Sequence, residues 1–191
     1  SGRLQSRSMA TGATIYRADL SIADIDRSYY ANHALTVARH PSETEERLMV
    51  RLLAFALYAD DQLAFGRGLS SDDEPDLWRR DPTGLIDLWL SVGLPDAKWL
   101  RKAASRSRRV VLIAYGSRVD AWWSRSGPDL ERFDHLTVLS LQPAQTAELA
   151  RLAARSMRFD VSIQDGNAWF GSPAGTADVG WQILKGESGQ R

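Results

Sequence analysis

The sequence predicts a mixed α+β fold, a mixed α/β sandwich, and three observations support this prediction. Strand-like and helix-like segments alternate through the middle of the chain, whereas both ends carry predicted strand pairs. One segment, 43–60, has the apolar spacing of a buried helix. The 191 residues are enough for one domain with a substantial core. We expect a single domain over 9–191, and we interpret residues 1–8, which precede Met9, as a remnant of an expression vector.

The N-terminal part predicts two strands, at 14–22 and 35–38, followed by the first helix. Ser42 is the predicted N-cap of this helix, and Glu45, three residues later, completes a capping box. A short strand at 62–66 should follow the helix. The helix is predicted to bury one apolar stripe, which is formed by Met49, Leu52, Leu53, Ala56 and Leu57.

The segment 74–93 predicts a β-hairpin that begins with Pro75-Asp76. Apolar residues recur at every second position from Ile86, which is the period of a strand. Asp81-Pro82-Thr83-Gly84 is the predicted turn, because proline presets φ and glycine allows a positive φ. If these four residues form the loop, Trp78 faces Asp87, and one face holds Asp76, Trp78, Asp87, Trp89 and Ser91. The carboxylates come together only in that register.

The remaining elements are predicted from short apolar runs and turn signals. Pro95-Asp96 opens a second helix over 96–105, and a strand buried on both faces follows at 110–114. The run from 43 to 114 therefore has the order αβββαβ. Beyond it, the sequence predicts helices at 118–123 and 142–154, a strand at 136–141, and a C-terminal hairpin around Asp165-Gly166.

Composition excludes several classes of function. Lys+Arg and Asp+Glu are equal at 24 each, so the overall charge gives no support for indiscriminate nucleic-acid binding. The chain has no cysteine, which excludes disulfides and thiolate metal sites. Its 3 histidines are too few for a histidine-rich metal centre. No apolar run approaches the ~20 residues that span a bilayer. We expect a cytoplasmic protein that does not enter membranes.

Five short blocks, in this order along the chain, resemble the bacterial YaeQ family. The blocks are His40-Pro41-Ser42-Glu43-Thr44, Asp72-Asp73-Glu74-Pro75-Asp76, Ile86-Asp87-Leu88-Trp89, Gly93-Leu94-Pro95-Asp96 and Ile163-Gln164-Asp165-Gly166. No block is specific by itself, but the ordered set spans nearly the whole chain after Met9. The family is regarded as a variation on the PD-(D/E)XK nuclease fold. The resemblance therefore implies a restriction-endonuclease-like αβββαβ core with extra N- and C-terminal strands.

The resemblance also implies where a catalytic set would lie. Asp76 takes the place of the aspartate in the Pro-Asp motif. Ser91 takes the place of the second acid, which is more often glutamate in the family, and Gly93 takes the place of the lysine. Such enzymes use Mg²⁺ or Mn²⁺ to activate water and to stabilise charge on the phosphate. Two members of the catalytic set are therefore replaced in this chain.

Other residues could supply the missing groups. Hard cations such as Mg²⁺ or Mn²⁺ prefer carboxylate oxygens as ligands. The candidate metal ligands are Asp76, Asp87 and Glu43. The candidate catalytic residues are Asp76, Asp87, Lys98 and Lys102. The candidate nucleic-acid-binding residues, from a stretch without acids between Ala97 and Val119, are Arg101, Arg106, Arg108 and Arg109.

Each of these residues also has a structural interpretation. Asp76 can start a strand by bonding its own backbone, and Glu43 suits the N-terminus of a helix. Asp87 can pair with Arg79 or Arg80. Three functions stay open: a metal-dependent nucleic-acid phosphodiesterase with a degenerate site, a non-catalytic module that binds nucleic acid or protein, and a regulatory scaffold. The sequence does not predict the oligomeric state.

Overall fold

The computed structural model describes residues 12–71, 73–186 and 191 of the protein. The segment interpreted as a vector remnant, together with Met9 and Asp72, lies outside the described residues. Within the described part, ten strands and four α-helices follow one another along the chain. They are β1 (Thr14–Asp24), β2 (Tyr29–Arg39), α1 (Glu45–Tyr58), β3 (Ala64–Phe65), β4 (Leu77–Arg80), β5 (Ile86–Val92), α2 (Ala97–Arg106), β6 (Val110–Ala114), α3 (Val119–Leu130), β7 (Leu136–Leu141), α4 (Pro143–Ala150), β8 (Ser156–Gln164), β9 (Asn167–Ser172) and β10 (Gly175–Lys185).

The strands form one mixed sheet in the order β2-β1-β8-β9-β10-β7-β6-β5-β4-β3. The pairs β1–β8, β5–β6 and β6–β7 are parallel, and the other neighbours are antiparallel. The predicted α+β class is therefore confirmed. Among the described residues, no helix is both long enough and apolar enough to cross a bilayer.

The sheet curves around α1, which is the most deeply buried helix of the described chain. Every residue of α1 from 48 to 58 is buried, because one face of the sheet packs against it. Alternate residues of β5 point to opposite faces of the sheet. Leu88 and Leu90 lie on the face that packs against α1. Trp89 joins the second apolar cluster, between the outer face of the sheet and the helices α2 and α3.

The N-cap of α1 is Thr44, and the prediction of Ser42 at this position is wrong. The Thr44 hydroxyl accepts a hydrogen bond of 3.0 Å from the amide of Arg47, three residues into the helix. Ser42 instead bonds the imidazole of His40 through its hydroxyl, at 2.7 Å. The helix therefore begins at Glu45, two residues later than a capping box at Ser42 would place it.

The β4–β5 hairpin is present, but its register differs from the one expected with a four-residue loop. Trp78 faces Trp89 rather than Asp87, and Arg80 faces Ile86 across a bulge. The loop is longer by one residue because the Asp81 carboxylate accepts hydrogen bonds from the amides of Thr83 and Leu85. The bulge moves Asp87 out of the regular pairing with β4.

Candidate functional site

A cleft of about 420 Å³ opens where β5 ends and α2 begins. Three segments form it: the end of β5 with the loop to α2, the start of β4, and the 3-10 turn Gly68–Ser70. The chain passes from β5 into α2 through a loop that is fixed at Pro95, whose carbonyl accepts a 2.6 Å hydrogen bond from the Trp122 indole. The polar and aromatic side chains that line the cleft are Arg47, Ser71, Glu74, Asp76, Ser91, Asp96 and Trp99.

Asp76 is the most deeply placed acid of the cleft, with 4% of its surface exposed. Both carboxylate oxygens already have partners. Oδ1 accepts a 2.8 Å hydrogen bond from Nη2 of Arg47, and Oδ2 accepts a 2.9 Å hydrogen bond from the amide of Val92. The 3-10 turn covers the carboxylate closely, since a Cβ atom added to Gly68 would lie 2.7 Å from Oδ1.

Arg47 bridges two buried carboxylates. Its Nη1 donates to Oε2 of Glu43 at 2.7 Å, while its Nη2 binds Asp76. Arg51 donates to the other oxygen of Glu43 at 2.6 Å. Burial lowers the pKa of Arg47, but the charges and hydrogen bonds of Asp76 and Glu43 outweigh burial and raise the pKa above its ordinary value. Arg47 is therefore a permanent cation held between the two acids.

Ser91 and Gly93, which the resemblance aligns with the second acid and the lysine, both lie at the cleft. Ser91 is 3% exposed, and its buried hydroxyl has no hydrogen-bond partner. Gly93 has a φ of +107°, which L side chains rarely adopt. A Cβ atom at Gly93 would meet no neighbour within 4 Å, so the backbone rather than space disfavours a side chain there. A lysine at this position would be strained.

Asp87 lies at the other end of β5 and does not line the cleft. It precedes Ser91 by four residues, about 13 Å along a strand. Its carboxylate accepts a 2.9 Å hydrogen bond from Arg79, and Arg108 lies 3.7 Å from its other oxygen. Arg79 also pairs with Asp60. The structure thus brings Asp76 close to Glu43 through Arg47, but it does not bring Asp76 and Asp87 into one site.

Three of the six basic residues singled out in the sequence pair with acids. Lys102 and Arg106 lie 3.0 Å and 3.7 Å from the Asp73 carboxylate, and the hydrogen bond from Lys102 lowers the pKa of that carboxyl. Arg108 pairs with Asp81 at 3.0 Å. The remaining members are Lys98, which is exposed on α2, Arg101, which is half-buried on the same helix, and Arg109, which packs over Tyr58.

The oxygen atoms at the cleft do not fit the ligand set of a Mg²⁺ or Mn²⁺ site. Both oxygens of Asp76 are engaged, Ser91 offers a neutral hydroxyl, and the cation between Glu43 and Asp76 is a guanidinium. Divalent cations of this kind need several free oxygen ligands. Within the described ranges, no group of three or more His, Cys, Asp and Glu side chains converges as a metal-binding set.

Arg47 is the residue of this site that the sequence interpretation missed. Its signal was the spacing of Glu43, Arg47 and Arg51 at intervals of four, which places acid and bases on one side of a helix. By contrast, the prediction that Pro95-Asp96 opens α2 is confirmed. Asp96 is the N-cap, and its carboxylate accepts a 2.8 Å hydrogen bond from the Trp99 amide.

The fold and the cleft define a class of α+β proteins in which a mixed sheet curves around a buried helix. The model of the family described as "YaeQ protein" matches residues 9–181, and the chain belongs to the YaeQ family. The chain is 43% identical to "Uncharacterized protein YaeQ" of Salmonella typhi over 178 residues, which cover 91% of this chain and 98% of that protein. It is 42% identical, with the same coverage, to the protein of that name from Escherichia coli K12.

Two solved structures share the architecture. The crystal structure of YaeQ protein from Xanthomonas axonopodis pv. citri is 52% identical, covers 92% of this chain and 100% of that chain, and has a TM-score of 0.89. The structure of YaeQ protein from Pseudomonas syringae is 38% identical, covers 93% of this chain and 99% of that chain, and also has a TM-score of 0.89. The sheet and its buried helix are therefore common to this chain and these relatives.

Proposed function

We propose that this protein is a non-catalytic protein-binding module built on a restriction-endonuclease-like core. Its cleft would hold a basic, partly apolar segment of a protein partner. The observation that carries the proposal is the guanidinium of Arg47, which lies between Glu43 and Asp76 at 2.7 Å and 2.8 Å. A nuclease of this type would place a divalent cation beside the acid of its Pro-Asp motif.

The order of elements supports the nuclease-like core. From α1 through β3, β4, β5 and α2 to β6, the chain follows the αβββαβ succession, and the four strands are neighbours in that order. Pro75-Asp76 stands at the start of β4 and Ser91 near the end of β5, which are the motif positions of such a core. This order and these positions support our proposal that the cleft corresponds to the catalytic position of the superfamily.

The charges around the cleft argue for a protein partner rather than nucleic acid. Glu74, Asp76 and Asp96 line it together with a single cation, Arg47, so the lining has an excess of acid. Phosphate groups need basic partners, and acids repel them. Leu69, which is 47% exposed, and the half-buried Leu94 add apolar surface. A lysine or arginine beside an aliphatic side chain complements this lining.

Selection from a random library of 12-residue peptides displayed on phage tests the proposal. We expect the selected peptides to be enriched in Lys or Arg next to aliphatic residues. The variant Asp96→Asn removes one charge from the cleft but keeps a good N-cap for α2, because Asn caps helices as well as Asp does. It should weaken the selected peptides severalfold. Asp120→Asn, an exposed acid on α3, is the matched control.

The outcome of this selection decides the proposal. Loss of affinity in Asp96→Asn, with no loss in Asp120→Asn, supports binding in the cleft. If no peptide is selected, or if Asp96→Asn binds like the wild type, the protein-binding function is wrong. Binding of duplex DNA that weakens steeply with salt would instead point to nucleic acid as the partner.

A metal-dependent phosphodiesterase with a degenerate site is the second candidate. It is favoured by one observation: the Ser91 hydroxyl is buried without a partner at the position of the second acid. Calorimetry with Mn²⁺ separates the two candidates, with wild type, Asp76→Ala and Ser91→Glu compared side by side. Saturable binding in the wild type that Asp76→Ala abolishes would favour the phosphodiesterase. Mn²⁺ binding by Ser91→Glu but not by the wild type would indicate that the site lost its affinity for metal when serine replaced the second acid.

A further inference from the structure

The outer face of β2, β1 and β8 carries a depression of about 410 Å³ that shares no lining residue with the cleft. Along β1 and β8, every second residue is buried in the core around α1, as Leu20 and Phe159 are. The residues between them therefore point away from this core, to the outer face of the sheet. Six of the eight residues that line the depression lie on this face and are exposed: Asp19, Ser21, Asn32, Ala34, Arg158 and Asp160.

The register of the sheet places the polar side chains of this depression next to one another. Asp19 of β1 pairs with Arg158 of β8. Two residues further along β1, Ser21 pairs with Asn32 of β2 on one side and with Asp160 of β8 on the other. Neighbouring strands lie about 4.8 Å apart, so one small ligand can contact several of these side chains at once.

These polar side chains are not engaged within the protein. In the described part of the chain, no side-chain hydrogen bond or ion pair involves Asp19, Ser21, Asn32, Arg158 or Asp160. The acids and the arginine at the cleft differ, because they pair with one another. The charges of the depression also nearly balance, since its two carboxylates face one guanidinium and Arg17 lies beyond it on the same face of β1. A ligand that fits is therefore polar and carries little net charge.

An exposed aromatic side chain stands on each side of the depression. Tyr30, two residues before Asn32 on β2, is 65% exposed. Trp169 of β9 is 36% exposed, and its indole lies across Gly171, where an added Cβ atom would collide with the ring. Gly171 pairs with Asp160, so the indole lies beside the depression. Tyr30 and Trp169 belong to one row across the sheet, three strand spacings or about 14 Å apart.

We propose that this face of the sheet binds a neutral oligosaccharide. Sugar hydroxyls both donate and accept hydrogen bonds, which suits a set of carboxylates that accept and guanidinium and amide groups that donate. The apolar faces of the sugar rings would pack against the indole of Trp169 and the phenol of Tyr30. A peptide that adds a strand fits less well, because β1 and β8 already have a neighbouring strand on both sides.

Calorimetry on the full-length protein with cellohexaose, chitohexaose and maltohexaose tests the proposal. We expect at least one of these sugars to bind at one site per chain. Asp160→Ala should weaken this binding about tenfold, because hydrogen bonds to a charged group are lost. Asp120→Ala removes an exposed acid on α3 and is the matched control, which should bind like the wild type.

The two aromatic side chains predict an effect of ligand length. Tyr30→Ala should weaken the hexasaccharide about fivefold, because one ring contact is lost. It should leave the disaccharide of the same sugar unchanged, since a disaccharide held beside Trp169 does not reach Tyr30. A purely structural effect of the substitution would change the binding of both ligands alike. Leu85→Ala, at an exposed apolar residue outside this face, is the matched control.

The outcome of these titrations decides the proposal. Binding that depends on Asp160, and on Tyr30 only for the longer ligand, supports it. Absence of binding to all three sugars would overturn it, as would equal binding by the wild type and Asp160→Ala. If hexalysine binds instead, and Asp160→Ala abolishes that binding, the face belongs to a basic protein partner and the oligosaccharide proposal is wrong.

Discussion

Arg47 is the cation that pairs with two buried carboxylates at the cleft. It holds the carboxylates of Glu43 and Asp76 together, at distances of 2.7 Å and 2.8 Å. These acids are 3% and 4% exposed, so water neither solvates nor screens their charges effectively. The guanidinium has two separate donor atoms for the two acids, a geometry that a lysine ammonium does not reproduce.

Removing this guanidinium is expected to destabilise the protein. Arg47→Met should lower the free energy of unfolding by about 3 kcal/mol, because two buried carboxylates lose a partner. Urea denaturation followed by circular dichroism measures the change. The triple variant Arg47→Met, Glu43→Gln, Asp76→Asn should recover part of the loss, since it leaves no unpaired charge. A single variant as stable as the wild type would contradict the role given to Arg47.

Tyr58 makes stability depend on pH in the alkaline range. Burial raises its pKa from 10.0 to about 12, so the folded state favours the neutral phenol. This contribution is fully present below pH 10 and is lost as the pH rises toward 12. A shift of this size corresponds to about 3 kcal/mol at 1.4 kcal/mol per pKa unit. Between pH 9 and 12, Tyr58→Phe should therefore lose less unfolding free energy than the wild type.

At the residue scale, the sequence located the cleft but not its main interaction. Asp76, Ser91 and Gly93 lie in or beside short blocks of sequence, and such blocks can be recognised without the tertiary structure. The partner of Asp76 comes from 29 residues away, in another element. Pairing across that distance depends on tertiary packing, which the local pattern does not contain.

At the element scale, the N-terminus of α1 depends on a single hydroxyl. Thr44→Ala should lower the free energy of unfolding by about 1 kcal/mol, because the amide of Arg47 loses its cap. Ser42→Ala is the matched control, since Ser42 is equally exposed and bonds only His40. Thermal denaturation of both variants measures the difference, and the free energy of unfolding of Ser42→Ala should equal that of the wild type. If Ser42→Ala destabilised the protein more than Thr44→Ala does, Ser42 rather than Thr44 would be the N-cap.

Elements were predicted best where the pattern was local and long. The apolar stripe located α1, and the alternation from Ile86 located β5. The hairpin register was wrong because hydrogen bonds of the Asp81 carboxylate lengthen the loop and create a bulge. β3 has only two residues, Ala64–Phe65, against a predicted strand of 62–66. Single side-chain bonds of this kind decide register, but they leave no periodic signal.

At the scale of the whole molecule, Arg51 connects the two edges of the sheet. It donates a 2.9 Å hydrogen bond to the carbonyl of Ala38 in β2, and its guanidinium lies 5.7 Å from the ring of Phe65 in β3. These strands are the opposite edges of the ten-stranded order. The sheet is therefore nearly closed around α1, and the ion-pair network of Glu43 lies at the gap.

This arrangement predicts which amides are best protected from hydrogen exchange. The amides of α1 between Leu52 and Tyr58 should exchange only when the whole protein unfolds, because the sheet covers them. Amides of β2, at the edge, should exchange faster by local opening. Mass spectrometry of exchanged peptic peptides measures both. Fast exchange of α1 under native conditions would show that the sheet opens readily.

The overall class was predictable from the sequence, but the strand order was not. Alternating segments indicate strands wherever they occur. They do not indicate that β1 pairs in parallel with β8, since the pairing joins Arg17 to Ser156. Such long-range pairs form because both strands bury an apolar face against α1. No single segment of the sequence specifies this arrangement.

The parallel pair of β1 and β8 also has a consequence during synthesis. The helix α1, with its long apolar surface, leaves the ribosome well before the strand that completes its enclosure. The roughly 100 residues that separate α1 from β8 take on the order of 5–20 s to translate. Throughout that interval the nascent chain exposes the surface that the mature protein hides most completely. Chaperones that recognise apolar helices should therefore engage this chain while it is being made.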